Sequence, residues 1–306
     1  MGHLPNKWRK EEREAKMERD AAELRARDAE RDRLFPAPRC LCGFTWLEAE
    51  LWQIWDPSPQ ALRCKACMTP DQADLVDGLD EDTVRGMCNL YSMTKGQAAI
   101  RQLTKAMIDH TGNLEPLPAI FPNRMAPVVR HAAEGRELLM MRWGFPPPSI
   151  PGQKPRNPYL TNCRKTDSRY WATYLKKTEH RCLVPATSFA EPDNNQGPKS
   201  IWTWFAQDES RPLMFFAGIW REWEGDRGTK AMPDIGRHLV FSFLTTDASP
   251  DVAPIHPDAT PVLLLDEEAR ETWMNAPWEE AVRLQRPPPA GAVRVIAAGR
   301  KDDPAP

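Results

Sequence analysis

The 306-residue sequence lacks the features that mark a membrane protein, a secreted protein or a broadly basic protein. No apolar run approaches the ~18 residues that span a bilayer, and the first residues contain no apolar segment followed by a small-residue cleavage site. The sequence also has no large excess of charge of one sign, since its formal net charge is −2. The protein as a whole therefore has no general electrostatic attraction to nucleic acid. We therefore expect a cytoplasmic protein without membrane contact, in which any DNA binding comes from a local group of basic and aromatic side chains.

Cysteine is scarce, and its seven copies are an odd number in a chain without a secretion signal. Free thiols or metal ligands are therefore expected rather than a disulfide framework. Four of the seven form two close pairs, C-x-C and C-x-x-C, which we call the upstream cysteine set: Cys40, Cys42, Cys64 and Cys67. Because tetrahedral zinc needs four thiolates, this set resembles a small zinc ribbon that could hold a structural zinc ion. Alternatively, residues 1–86 are an upstream extension of the reading frame and no part of the working protein.

Residues 7–33 are almost entirely charged. Their few apolar residues make no sustained seam of the kind a coiled coil requires, and acids nearly balance bases, which excludes a basic nucleic-acid tail. Opposite charges often fall three or four residues apart. This part of the N-terminal extension is therefore predicted to be a solvated helix or a helix-prone arm.

From residue 87 to about residue 300 the pattern is that of one mixed domain, with residues 301–306 as a disordered polar tail. Helical periodicity predicts helices over 94–109, with Thr94 as the cap, 167–178, and 267–284 with a break at Pro277. Apolar runs predict strands at 137–143, 200–206, 212–220, 238–246, 260–265 and 292–297. Since strands outnumber helices and do not alternate with them, we expect an α+β fold with a β-rich, mostly antiparallel core and flanking helices.

Three polar residues stand out against the apolar runs: Asn162, Glu191 and His256. Each has a plain alternative, since Asn162 could cap a helix, Glu191 could lie in a turn, and His256 could be a loop histidine beside Pro257. Together with Cys88 they supply a nucleophile, a hydrogen-bonding amide, a carboxylate and a proton shuttle. This combination is typical of covalent catalysis.

Seven motifs resemble those of one family in both order and spacing: MCNLYS, RWGFPP, TNCRKTDS, RCLVPATSFAEP, FFAGIW, FSFLTTDA and APIHPDATPVLL. The family is SRAP, the SOS-response-associated peptidases that process abasic sites, and the resemblance runs from Met87 to about Arg300. It implies a single SRAP-like domain without a cofactor. It also implies that an N-terminal cysteine crosslinks to abasic sites in single-stranded DNA, assisted by an asparagine, a glutamate and a histidine. By motif, these four residues are Cys88, Asn162, Glu191 and His256.

The sequence also departs from the family pattern. The family often reads M-C-G-R-F, N-A-R-x-E-T and I-H-x-R-M-P, whereas this chain has Asn89-Leu90 after the cysteine and Asp258 after the histidine. The arginines that would contact DNA phosphates at those two places are absent, and Arg164 is retained. We expect Arg164 to pair with a phosphate and Trp143 to stack on an unpaired base. The plain alternatives are a surface charge and a core residue.

The chemistry requires that the cysteine come first in the chain. A free α-amine can condense with the aldehyde of a ring-opened abasic site, and the thiolate of the same residue can then close a thiazolidine ring. Two routes expose Cys88: translation from Met87 followed by removal of the methionine, which we favour, or self-processing of the longer chain by a peptidase activity. A third possibility leaves Cys88 internal, able to bind DNA but unable to form the ring. We expect the protein to act as a monomer.

Two rival functions follow from the same residues. An N-terminal-nucleophile cysteine hydrolase also begins with Met-Cys, but it needs an oxyanion hole and usually a partner domain. A zinc-ribbon DNA-binding adaptor, built by residues 34–75, would depend on the upstream cysteine set. A trapping assay with single-stranded DNA that carries one abasic site separates these functions.

Overall fold

A computed structural model describes residues 88–147, 159–193, 195, 201–229 and 231–303, together with the backbone of two short strands further upstream. These two strands, β1 (Leu51–Gln53) and β2 (Leu62–Cys64), pair antiparallel. They belong to one compact unit, and every other described element belongs to a second. The charged segment 7–33 lies outside the described residues. Among the described residues no helix combines the length and apolar character needed to cross a membrane.

The second unit contains most of the strands and four short helices. Its helices are α1 (Gln97–Thr104), α2 (Arg169–Leu175), α3 (Glu267–Asn275) and α4 (Trp278–Ala281). Its first seven strands are β3 (Leu90–Met93), β4 (Ala106–Asp109), β5 (Leu117–Ile120), β6 (Met125–Ala132), β7 (Gly135–Trp143), β8 (Asn162–Cys163) and β9 (Arg181–Ala186). The other seven are β10 (Ser188–Asp193), β11 (Ile201–Ala206), β12 (Met214–Asp226), β13 (Ile235–Thr246), β14 (Thr260–Pro261), β15 (Leu263–Leu264) and β16 (Arg294–Ala298).

The helix boundaries follow local signals in two of three cases. The side chain of Ser168 accepts a hydrogen bond from Trp171 N and caps α2, and the break expected at Pro277 separates α3 from α4. The prediction of one helix over 94–109 is wrong in its second half. The chain leaves α1 at Lys105, which has a left-handed φ of 57°, and continues as β4 in parallel pairing with β7. Tertiary pairing has therefore overridden helical periodicity there.

The expected cap at Thr94 is also wrong. Helix α1 begins after Gly96, which makes no side-chain capping bond. The backbone N–H of Thr94 instead donates to Thr187 Oγ1 at 3.2 Å. Thr94 thus ties the end of β3 to the β9–β10 turn.

The larger sheet closes on itself. Strands β13, β12, β9, β6 and β7 pair in that order, and β7 then pairs with β13 to complete a ring. The expectation of an α+β fold with a mostly antiparallel core is confirmed, since only three described pairings are parallel: β4 with β7, β7 with β13, and β8 with β13. The short strand β8 pairs with β13 near the C-terminal end of that strand.

A second sheet has the order β16-β11-β10-β3-β5 and packs one face against the ring. The aromatic rings at this junction include Tyr91 of β3, which meets Phe216 at 5.6 Å and Phe243 at 6.0 Å between centroids. Burial of such side chains is the main stabilising term of the fold. Because β3 and β10 are neighbours, the segments around Cys88 and Glu191 are brought to the same side of the second sheet.

The prediction of a disordered tail over 301–306 is wrong for residues 301–303. The carboxylate of Asp303 is buried and accepts hydrogen bonds from Ser92 Oγ at 3.1 Å and Ser188 Oγ at 2.6 Å. Arg211 Nε donates to the same carboxylate at 2.9 Å. Asp303 therefore fastens the C-terminal segment to both β3 and β10, because a buried carboxylate requires such partners. Residues 304–306 lie outside the described residues.

Candidate active site

Cys88 and Glu191 meet in the second sheet at the start of β3, where β3 pairs with β10. Cys88 lies two residues before β3, and its thiol donates to Leu90 O at 3.6 Å. Glu191 lies within β10, where Ala190 pairs with Leu90, so the register carries the carboxyl toward the start of β3. Glu191 shares a face with Phe189 because side chains alternate along a strand. It is a fully buried strand residue, which contradicts the alternative of a turn carboxylate.

Burial sets the protonation of both groups. The pKa of Glu191 is raised from 4.5 to about 8, chiefly by loss of hydration; the hydrogen bond with the Cys88 thiol opposes this shift, and the Asp258 carboxylate adds to it. Neither carboxyl oxygen accepts a hydrogen bond from a described nitrogen or oxygen donor. Burial and the neighbouring Glu191 also raise the pKa of Cys88 well above its usual value. At neutral pH the pair therefore holds a neutral acid beside a neutral thiol.

His256 approaches the same carboxyl from the segment that follows β13. Its Nε2 lies 3.7 Å from Glu191 Oε2, and the imidazole is almost completely buried. The backbone holds it there, because His256 N donates to Val252 O at 2.9 Å within a run of turns. His256 is thus an interior residue in contact with the carboxyl and not an exposed loop histidine. A histidine in contact with a carboxyl is suited to pass a proton to it or from it.

Asn162 is the first residue of β8. Its side chain is buried, and neither Oδ1 nor Nδ2 makes a hydrogen bond within the described part of the chain. The adjacent Thr161 donates through Oγ1 to Asn89 Oδ1 at 3.0 Å, which links β8 to the residue after Cys88. The alternative of a helix cap is wrong, since Ser168 caps the following helix. A buried amide without partners is costly, and such groups often serve a ligand.

Trp143 does not offer a stacking face, and this expectation is corrected by the structure. Its side chain is fully buried, with its ring stacked on Phe243 at 5.3 Å and edge-on to Tyr91 at 5.0 Å between centroids. Its indole Nε1 donates to Thr161 O at 3.0 Å. The core alternative therefore holds. Trp143 supports β8 beside Asn162 from within the core.

The turn after Trp143 needs glycine. Gly144 has φ of 116°, a left-handed conformation that L-residues rarely adopt, and a Cβ there would lie 2.8 Å from Tyr159 Cβ. This close approach lets Phe145 bridge to Leu160 just ahead of Asn162. The RWGF motif thus shapes the entry to β8.

Arg164 follows β8 and is about one third exposed. Its guanidinium Nη2 forms an ion pair with Asp247, the residue that follows β13. Arg164 is therefore near the surface, as its expected contact with a phosphate requires, but it already has an acidic partner. Sequence reasoning missed this partner, although Asp247 lies in the quoted motif FSFLTTDA.

The structure describes no group of three or more metal-ligating side chains. Of the upstream cysteine set, Cys64 contributes backbone to β2 and its side chain is not described, while the other three cysteines lie outside the described residues. The zinc hypothesis therefore stays a prediction. The three described cysteines, Cys88, Cys163 and Cys182, are buried and free.

The sequence of this domain is similar to those of known proteins. Residues 87–299 match the SOS response associated peptidase (SRAP) family. The chain belongs to the SRAP family. Among curated proteins, it is 25% identical over 164 residues to the abasic site processing protein YoqW of Bacillus subtilis (strain 168), covering 54% of this chain and 69% of that protein. The abasic site processing protein YoaM of the same organism is 23% identical over 164 residues, covering 54% and 68%.

Two solved structures share the fold of this chain. A crystal structure of a protein from Bordetella bronchiseptica superposes with a TM-score of 0.54 at 23% identity, covering 70% of this chain and 100% of that one. A protein from Bacteroides thetaiotaomicron gives 0.51 at 20% identity, covering 68% and 90%. At these identities the likeness shows the fold alone.

Proposed function

We propose that this SRAP protein processes abasic sites by linking Cys88 covalently to the damaged sugar in single-stranded DNA. The observation that supports the proposal is the fully buried Glu191 carboxyl, which has the Cys88 thiol beside it and His256 Nε2 at 3.7 Å. Such a cluster joins a nucleophile to a proton donor and a proton shuttle. The names of YoqW and YoaM agree with this substrate class.

The proposed reaction has two steps. The α-amine of Cys88 attacks the aldehyde of the ring-opened deoxyribose, and loss of water leaves an imine. The thiolate sulfur then adds to the imine carbon, and the nitrogen takes up a proton, which closes a five-membered thiazolidine. Both nucleophiles lie on one residue, so the second step gains an effective molarity on the order of 10⁵ M or more in well-oriented cases.

Each site residue has a role in these steps. Glu191, neutral below a pKa of about 8, donates a proton to the sugar ring oxygen or to the departing water. His256 accepts protons released by the amine and the thiol, since burial leaves that thiol protonated at neutral pH. The unbonded amide of Asn162 is available to hold the amine and the sugar hydroxyls. The same acid and base would also serve a peptidase step that removes the chain ahead of Cys88.

The test is an adduct assay with single-stranded DNA that carries one abasic site. Protein that begins at Cys88 should form an adduct that survives a denaturing gel, whereas an unprocessed chain that begins at Met1 should form none. Cys88→Ala retains an amine but lacks the sulfur, so it should yield only an imine that borohydride must trap. Mass spectrometry then locates the link. Equal rates for the unprocessed chain and the chain beginning at Cys88 would contradict the amine-first mechanism.

His256→Ala should slow adduct formation without abolishing it. A positioned acid or base contributes about 10²–10⁴-fold to the rate, and water replaces it poorly. Rates measured by quenched time courses at saturating DNA give the loss in the chemical step. A variant as fast as the wild type would remove His256 from the mechanism.

A further inference from the structure

Arg164 and Asp247 leave the sheet side by side. Strands β8 and β13 pair in parallel, with Asn162 opposite Phe243 and Cys163 opposite Leu244. Continued by one residue, this register places Arg164 opposite Thr245, two residues before Asp247, which directly follows β13. The ion pair between Arg164 and Asp247 is therefore built by the fold and does not depend on a chance contact of two long side chains.

Gln285 keeps both segments in place. Its side-chain Nε2 donates to Arg164 O at 2.8 Å and to Thr245 O at 3.0 Å, while its Oε1 accepts from Thr166 Oγ1 at 2.8 Å. The Gln285 amide thus connects the backbone of Arg164 to the backbone of Thr245, which lies two residues before Asp247. The pairing of the two charges is consequently the resting arrangement of the protein.

The arginine retains unused donor capacity. While Nη2 contacts Asp247, Nη1 is buried and makes no hydrogen bond within the described residues. A guanidinium offers five donors in a planar fork and prefers acceptors that bind it at two nitrogens. A phosphate that takes the place of Asp247 offers several oxygens to the exposed side of this fork.

The aspartate is easily displaced. The Asp247 side chain is 81% exposed, so it returns to water with little loss of hydration. Exposed ion pairs of this kind contribute about 0.2–1 kcal/mol in measured cycles. A phosphate that replaces it therefore has a small opposing free energy to overcome.

We propose that Asp247 is a specificity-determining residue that occupies Arg164 in the free protein and competes with the phosphate of a bound strand. The inference rests on the proposed function, because it concerns the DNA that reaches Cys88. Because Asp247 lowers the affinity for any single strand of DNA, a strand stays bound only if the covalent step occurs. Only an abasic aldehyde permits that step. Undamaged strands are thus released.

The experiment measures affinity for a labelled, undamaged single-stranded oligonucleotide by fluorescence anisotropy with the full-length chain. Asp247→Asn should bind about 1.4- to 5-fold tighter than the wild type, the range that an exposed ion pair spans. Arg164→Ala should bind more weakly, with a shallower dependence on salt. In the Arg164→Ala background, Asp247→Asn should give little gain, because the competitor acts through the arginine.

A matched control removes the same charge elsewhere. Glu222 forms a surface ion pair with Arg237, which lies near the start of β13, whereas Asp247 follows its end. At ~3.3 Å per residue this places Arg237 ~30 Å from Asp247 along the strand, well beyond a screening length of ~10 Å at 0.1 M salt. Glu222→Gln should therefore leave the affinity unchanged.

The outcomes separate this inference from the proposed function. Wild-type affinity in Asp247→Asn, or an equal gain with and without Arg164, overturns the competition while adduct formation by Cys88 still stands. An equal gain in Glu222→Gln would attribute the effect to net charge and also overturn it. Failure of the wild type and all variants to bind or crosslink DNA overturns both.

Discussion

Glu191 should make the stability of this protein depend on pH. Its carboxyl has a pKa of 4.5 when hydrated and about 8 in the folded protein. Between these values the folded chain holds a proton that the unfolded chain has released, so the folded state becomes less stable as pH rises. The contribution is complete below pH 4.5 and is lost as the pH approaches 8. At about 1.36 kcal/mol per pH unit, the total loss is on the order of 5 kcal/mol.

The substitution Glu191→Gln replaces the titratable carboxyl with a neutral amide of nearly the same shape. The free energy of unfolding of the variant, relative to the wild type, should therefore increase by about 3 kcal/mol between pH 5 and pH 7. Urea denaturation of both full-length chains at pH 5, 6, 7 and 8 measures the difference. Glu134→Gln, which removes an exposed carboxyl at the β6–β7 turn, is the matched control.

Two results would refute this reasoning. If the curves of wild type and Glu191→Gln run parallel with pH, burial does not keep the carboxyl protonated. If Glu134→Gln reproduces the same pH-dependent gain, the effect belongs to net charge.

A neutral Glu191 also predicts that its role as a proton donor fades above pH 8, so the advantage of wild type over Glu191→Gln in adduct formation should shrink there.

Three other predictions concern the C-terminal segment, the core and the upstream cysteine set. Asp303→Ala leaves Arg211 buried without its counter-ion and should destabilise the fold by about 3–5 kcal/mol in urea, whereas deletion of residues 304–306 should have little effect. Trp143→Ala empties the core beside Thr161 and should cost about 3–5 kcal/mol; a loss of DNA affinity at unchanged stability would instead support base stacking. Purified full-length protein should contain one zinc ion, held by the upstream cysteine set; elemental analysis without zinc would reject that site.

Much of the domain could be predicted from the sequence because its signals are local. Proline cannot continue a helix, so Pro277 separates α3 from α4 as expected. Long apolar runs rich in aromatic and β-branched residues correspond to β7 and β13, each within three residues of its predicted bounds, and to β12, which continues six residues past its predicted end. The ordered motifs around Cys88, Asn162, Glu191 and His256 were sufficient to identify the family.

The sequence also determined the chemical types in the candidate site, whereas their states depended on folding. A glutamate is an ordinary acid until burial removes its water, and the pKa of about 8 for Glu191 arises only when β10 lies against β3. In the same way, tryptophan patterns do not distinguish a core ring from a stacking platform. The packing of Trp143 between Tyr91 and Phe243 decided that question.

Long-range pairing decided what no local pattern could indicate. Residues 106–109 have helical periodicity, yet they pair with β7 as a strand, and no local pattern indicates that partner. A polar tail looks disordered until Asp303 meets Ser92, Ser188 and Arg211, which are distant in sequence. Likewise, Arg164 and Asp247 face each other only because β8 and β13 pair in parallel. The sequence by itself determined which groups are available, and the tertiary structure alone decided which of them meet, lose water and change charge.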